Sequence, residues 1–261
     1  RIAEWAKATR YESLGPKTVH EVKRRVLDSI GTALGAWRSR PAKVTREIAG
    51  SVPLPGGASL LGSRQRTTPD LATFTNGALV RYLDFNDTYL SKEPAHPSDN
   101  IPAAWAVGQM TGAGGRDVIT AIALAYELQC RLCDAASLRK HGWDHVYYGA
   151  LSSALAAAWL YKLDVQQTVH TLGLAGVCNF ATRQTRTGQI SDWKACAFSN
   201  AARNGVFAAG LARKGMTGPH EIFEGPKGLF KMVTGPFELA WSAGPEDWMI
   251  LKTYIKYWPA E

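Results

Sequence analysis

With 261 residues, 46% of them apolar and 20% charged, the chain can bury a core without disulfides. No apolar run reaches the roughly 18 residues that a membrane span needs. The formal net charge of +8 suits an anionic partner, but the basic residues are scattered (Arg38, Arg40, Lys43, Arg46, Arg64, Arg66), with no long basic run interleaved with aromatics, which argues against nucleic acid and for a small acidic molecule.

The N-terminal stretch "RIAEWAKATRYESLG" has no apolar h-region and no small-residue cleavage site, so no secretory signal is expected there. It has no initiator Met, and an earlier start is expected. Residues 17–37 place Val19, Val22, Val26, Ile30, Ala33 and Trp37 at steps of three and four, which predicts an amphipathic helix entered at Pro16. Residues 41–70 are rich in turn residues, with Ala58 to Leu61 as a short strand or hairpin arm. Helix resumes over 70–83, stops at the polar loop "RYLDFNDTYLSKEPAHPSDN", and restarts with Ser98 or Asp99 as cap and Pro102 in the first turn. Gly112, Gly114 and Gly115 end that helix.

The next helix, "DVITAIALAYELQCRLCDAASL", sets Cys130 and Cys133 on its apolar face. A second polar patch, "RKHGWDHVYYG", precedes three helices made largely of Ala, Gly and Ser. Gly within a helix costs about 1 kcal/mol relative to Ala, and close packing of helix axes is the expected compensation. The third patch is "RQTRTGQISDWKACAFSNAARNG". There is no βαβ alternation, dinucleotide fingerprint or Walker loop. The chain is expected to be all-α, with "TYIKYWPAE" at 253–261 reading as a terminal strand. All four cysteines (Cys130, Cys133, Cys178, Cys196) sit in apolar helical segments, which fits a reducing, cytoplasmic setting.

Each polar patch has competing readings. Asp84, Asn86 and Thr88 alternate like the start of a calcium loop, but Tyr89 stands where glycine is required and Ala95 where a bidentate Glu belongs. A capped surface loop, its polar residues satisfying backbone groups, explains them better than calcium does. His96 is different: the following proline holds its backbone extended, next to a helix start whose unpaired N–H groups favour anions. His141 and His145 are spaced to share a helix face and bind zinc, yet no third ligand is evident. Lys194 heads an apolar helix, on the unfavourable end of the helix dipole, where an anionic ligand would justify it. Arg183, Arg186 and Arg203 are near it in sequence. Cys130-x-x-Cys133 is expected to be core.

Together, "LDFNDT…HPSDN", "GWDHVYYGALSSALAAAWL", "GQISDWKACAFSNAARNGVFAAGLARKGMTGP", "IFEGPKG" and "TYIKYWPAE" resemble the MmgE/PrpD family of 2-methylcitrate dehydratases and cis-aconitate decarboxylases. The resemblance implies a large helical domain, here residues 1–248, and the beginning of an α+β lid, here 249–261, in a homodimer with no metal and no organic cofactor. It assigns catalytic roles to Asp84, His96, His145 and Lys194, and substrate binding to Thr88 and Lys256. Asp87 and Arg203 are added as substrate-binding candidates. The form "TYLSKEPAHPSDN" with "TYIKYWPAE" is more similar to the dehydratase branch than to the decarboxylase or epimerase branches. The implied reaction is loss of water from a 2-methylcitrate-like tricarboxylate, with the histidines as acid and base and the lysines as fixed cations. A non-catalytic helical binding or dimerisation module is the alternative of another class.

Overall fold

The computed structural model describes residues 1–259. Its helices are α1 (Ile2–Ala8), α2 (Gly15–Gly35), α3 (Arg40–Gly50), α4 (Pro69–Tyr82), α5 (Ile101–Thr111), α6 (Gly115–Ala135), α7 (Val146–Leu160), α8 (Val165–Val177) and α9 (Trp193–Arg213). The only paired strands among the described residues are β1 (Ala58–Ser59) and β2 (Arg66–Thr67), antiparallel, with Ala58 opposite Thr67. The all-α expectation is met. No described helix is long and apolar enough to cross a membrane.

The centre of the molecule is α7. All of its residues except Trp159 are buried, which is why the sequence shows no apolar stripe: a helix surrounded on every side has no polar face. Around it pack α5, α6, α8 and α9. The small residues allow this. A Cβ on Gly205 of α9 would lie 2.6 Å from the carbonyl oxygen of Ala150 and 2.8 Å from the amide nitrogen of Ala154, so α7 and α9 touch backbone to backbone. Gly149 likewise accommodates the Phe198 ring, 2.3 Å from where its Cβ would be. Dispersion over such a close contact offsets the helix-propensity cost of glycine.

Four sequence expectations need correction. Residues 40–50 form α3 rather than turns: the Ser39 hydroxyl accepts from the Ala42 amide, and Pro41 sits in the first turn, where it has no hydrogen bond to lose. Ser98 and Asp99 do not cap α5. They lie in the 3-10 turn Pro97–Asn100 and direct their side chains to the preceding loop, while Asn100 occupies the cap position without a side-chain cap bond. His141 and His145 do not share a helix: His141 closes a separate exposed turn and His145 precedes α7. The terminal strand reduces to one antiparallel bridge between Tyr254 and Thr88, with N–H to O distances of 2.9 Å each way. Ala260 and Glu261 of that expected strand lie outside the described residues.

Candidate active site

The loop after α4 is organised from below by Asp87, which is fully buried. Its Oδ1 accepts the Ser98 amide at 2.9 Å, its Oδ2 accepts the Tyr126 hydroxyl at 2.7 Å, and the Arg25 Nε lies 3.4 Å from Oδ2. Burial raises its pKa against the opposing field of Arg25. With both oxygens committed, Asp87 has no face for a substrate and acts as a support, which departs from its expected binding role. Its backbone carbonyl accepts from His96 Nδ1 at 2.8 Å. A carbonyl can only accept, so the neutral imidazole carries its proton on Nδ1 and presents a bare Nε2.

Asp84 is the hub. Its backbone is left-handed, with φ of 53°, a region that Asp tolerates better than most residues. Arg81 Nη1 donates to Oδ1. Lys256 Nζ donates to Oδ1 and to the Asp84 carbonyl, both at 3.1 Å. Lys194 Nζ donates to Oδ2 at 3.3 Å, and His96 Nε2 is 3.9 Å from Oδ1. Burial alone would raise the Asp84 pKa, but Arg81 and Lys256 outweigh it and hold the carboxyl well below the usual carboxylate range. Lys256 arrives from the far end of the chain because the Thr88–Tyr254 bridge fixes the segment two residues before it.

His145 enters from the start of α7, its Nδ1 3.2 Å from Asp144 Oδ1, and its ring centroid 6.1 Å from that of His96. Asp144 is fully buried and accepts from Arg186 Nε at 2.8 Å. Both imidazole pKa values are pushed well below 6.5. For His96 the causes are burial, then Arg81, His145 and Lys256; for His145 they are burial, then Arg186, Arg81 and Arg183. Both rings are therefore neutral at neutral pH. Nearby, burial pushes Asp99 up to about 7 against the pull of Arg81, whose Nε is 3.7 Å from Asp99 Oδ2.

The expected residues thus divide clearly. Asp84, His96, His145, Lys194 and Lys256 come together. Thr88 borders the loop, its hydroxyl 3.4 Å from the Ala95 carbonyl. Arg203 is not part of the cluster: it lies roughly two and a half turns along α9 from Lys194, with its guanidinium 5.7 Å from the Phe74 ring centroid and donating to Asn204 Oδ1 at 3.3 Å. The arginines that do reach the cluster, Arg81 and Arg186, were not singled out as site residues from the sequence, nor were Asp99 and Asp144. Asp144 stands directly before a chosen histidine and Arg186 in the third patch, so adjacency was the available signal. Arg81 ends an apolar helix and gave none.

A cleft of about 220 Å³ opens on the Arg81, Asp84 and Lys194 side of the cluster, lined also by Ile190, Ser191 and Ala195, with His96, His145 and Lys256 behind its lining. Larger hollows of about 390 Å³ beside Lys7 and Arg116 and about 360 Å³ beside Phe223 and Trp241 lie against α1 and hold no comparable constellation. The cluster is marked by its buried titratable groups rather than by hollow size. Several buried polar atoms around the histidines have no hydrogen-bond partner among the described residues: Arg81 Nε and Nη2, Asn86 Oδ1, Asp99 Oδ2, His145 Nε2 and Arg186 Nη1. Each such atom costs about 1–3 kcal/mol if left dry, so the region calls for a polar occupant. Fixed guanidinium and ammonium groups suit a carboxylate.

Comparison with known proteins identifies the family. Residues 1–242 match the model of the MmgE/PrpD N-terminal domain. The chain is 31% identical over 267 residues to the alkylcitrate dehydratase phiI of a fungal species (strain ATCC 74256), an alignment covering 94% of this chain and 52% of that protein. It is 30% identical to the 2-methylcitrate dehydratase of Cupriavidus necator, covering 80% of this chain and 46% of the relative. With the 2-methylcitrate dehydratase of Escherichia coli K12 the identity is 30%, over 74% of this chain and 42% of the relative. The chain spans about half the length of these curated relatives.

Proposed function

The chain belongs to the MmgE/PrpD family, and from that membership we propose that it carries the acid–base half of a hydro-lyase acting on 2-methylcitrate or a related tricarboxylate. The observation that carries the proposal is the meeting of the His96 imidazole, two ammonium groups and the buried Arg81 guanidinium around the Asp84 carboxylate, with the His145 ring beside that of His96. A substrate carboxylate entering the cleft competes with Asp84 for Lys194 and Lys256. Bound there, it brings the adjacent C–H toward a bare imidazole Nε2.

One Nε2 lone pair takes that proton. The C–H electron pair becomes the new C=C bond as the C–O bond breaks, and the hydroxyl leaves as water with a proton from a lysine ammonium. Both histidines are neutral before the reaction, so the first proton donor is an ammonium rather than an imidazolium. The negative charge growing on the carboxylate is met by cations already in place, which is the main source of rate in this arrangement. The reaction needs no metal or organic cofactor in this reading. The segment from residue 249, which delivers Lys256, is the beginning of a lid. The names of the relatives support the dehydratase branch; a cytoplasmic homodimer completes the proposal.

The test is to assay the full-length protein with 2-methylcitrate, citrate and cis-aconitate, following the unsaturated product in the ultraviolet and any released carbon dioxide. Absorbance rising with 2-methylcitrate supports the reading. Carbon dioxide release from cis-aconitate, without dehydration of any hydroxy acid, would replace it with a decarboxylase.

A further inference from the structure

The two histidines have similar rings but different surroundings, and the difference assigns their roles. His96 is backed at Nδ1 by a neutral backbone carbonyl, and its Nε2 faces the Asp84 carboxylate 3.9 Å away. His145 has a carboxylate beside Nδ1, Asp144 Oδ1 at 3.2 Å, and its buried Nε2 has no hydrogen-bond partner among the described residues. Asp144 is itself immobilised. Its Oδ2 accepts from Arg186 Nε at 2.8 Å and its Oδ1 from the Val146 amide at 3.2 Å. The backbone on either side is pinned too, with the Asp144 amide donating to the Ala181 carbonyl at 2.9 Å and Trp143 bridged to Thr182.

We propose that His145 is the group that removes the substrate proton, and that Asp144, clamped by Arg186, is its positioning residue. This rests on the hydro-lyase reading above. Asp144 Oδ1, in ion-pair contact with Nδ1, favours the Nδ1–H tautomer, which leaves the Nε2 lone pair to form a new N–H bond as the substrate C–H bond breaks. When the imidazolium forms, its positive charge is stabilised by Asp144, a service that the carbonyl behind His96 supplies only weakly. The other groups facing His145 are Arg186, Arg81 and Arg183, which oppose protonation, Asp84, which favours it, and the neutral His96 ring. Arg186 therefore has two effects: it holds Asp144 in place and it keeps His145 unprotonated until substrate arrives.

Long-range proton–nitrogen NMR on this chain reads the tautomer directly, with the His145 resonance identified by its loss in His145→Asn. The expected pattern is a protonated Nδ1 and a bare Nε2 on His145, with the Nε2–H form gaining population in Asp144→Asn, because an amide can donate to Nδ1. A wild-type ring protonated at Nε2 overturns the proposal, whether or not the variant folds. In the full-length enzyme, Asp144→Asn is expected to lower kcat at least 100-fold (order of magnitude for a general base) with little change in KM. It is also expected to move the acidic limb of kcat/KM to lower pH, with Asp144→Glu recovering part of the rate. A change confined to KM, or an unmoved limb, counts against it. If no tricarboxylate is dehydrated, the hydro-lyase reading fails while the NMR result still decides the tautomer.

Discussion

Replacing Asp84 with Asn tests the hub of the site with little change of shape. Asn tolerates the left-handed backbone that Asp84 adopts, so the substitution isolates the charge. In the protein this carboxylate meets Arg81, Lys256 at 3.1 Å and Lys194 at 3.3 Å. At an effective dielectric of about 20, each pair at such distances has a Coulomb energy of about 5 kcal/mol. Most of it is offset by the desolvation already incurred. What remains on deletion is the cost of stranded cations, about 3–5 kcal/mol for a well-buried pair. Arg81 and Lys256 are nearly inaccessible, whereas Lys194 is 28% exposed and partly screened. The low end, about 3 kcal/mol, is the expectation, which corresponds to a fall in Tm of roughly 6–12 °C. Because the Asp84 pKa is depressed in the folded protein, the difference from wild type should be complete above about pH 4 and shrink as the pH falls further. Citrate should recover more Tm in Asp84→Asn than in wild type, since its carboxylates replace the missing partner. The assay is differential scanning fluorimetry at low salt from pH 3 to 8. A Tm within about 1 °C of wild type at pH 7, on the scale expected for a lost buried pair, would show that Asp84 does not organise these cations.

Further outcomes follow from the same geometry. In the full-length protein, Lys194→Ala and His145→Ala should each lower kcat by at least about two orders of magnitude; near wild-type turnover in both would remove the mechanism. Asp99, with its pKa up at about 7, binds a proton more readily folded than unfolded, so its contribution to stability is complete below about pH 4 and lost as pH rises through 7. In urea unfolding the stability of wild type relative to Asp99→Asn should therefore fall with rising pH between about 4 and 7, by up to about 1.4 kcal/mol per pH unit, and parallel profiles would contradict the assignment. Gly205→Ala should destabilise the protein by about 1–3 kcal/mol or more, because its Cβ would press on the Ala150 carbonyl 2.6 Å away; an unchanged denaturation midpoint would mean that α7 and α9 do not touch there.

The helices were legible wherever one residue stripe faced the core. The pattern Val19, Val22, Val26, Ile30 marks α2, and the small residues of α7 and α9 foretold the contact at Gly205. Misreadings arose where one residue type serves two purposes. Pro41 breaks a helix interior but starts α3, and Ser98 and Asp99 resemble helix caps while instead bonding to Asn86 and Asp87. Motif and chemistry named Asp84, His96, His145, Lys194 and Lys256, whose side chains the fold gathers into one cluster. They could not separate residues open to the cluster from residues that brace it. Asp87 has its oxygens consumed by Ser98 and Tyr126, and Arg203 points to Phe74, facts that depend on helix phase and on contacts distant in sequence. Arg81 and Asp99 were unreadable for the same reason: each is a buried titratable or charged group whose partners, Asp84 for Arg81 and Arg81 for Asp99, come from packing rather than from a sequence pattern.

The most direct measurement is a crystal structure of the protein soaked with citrate at low ionic strength. One carboxylate is expected between Lys194 and Lys256, displacing Asp84 from at least one of them, with a carbon-bound hydrogen of citrate directed at His145 Nε2. Citrate bound only elsewhere on the surface, with the Asp84 contacts intact and no density beside the histidines, would contradict the account.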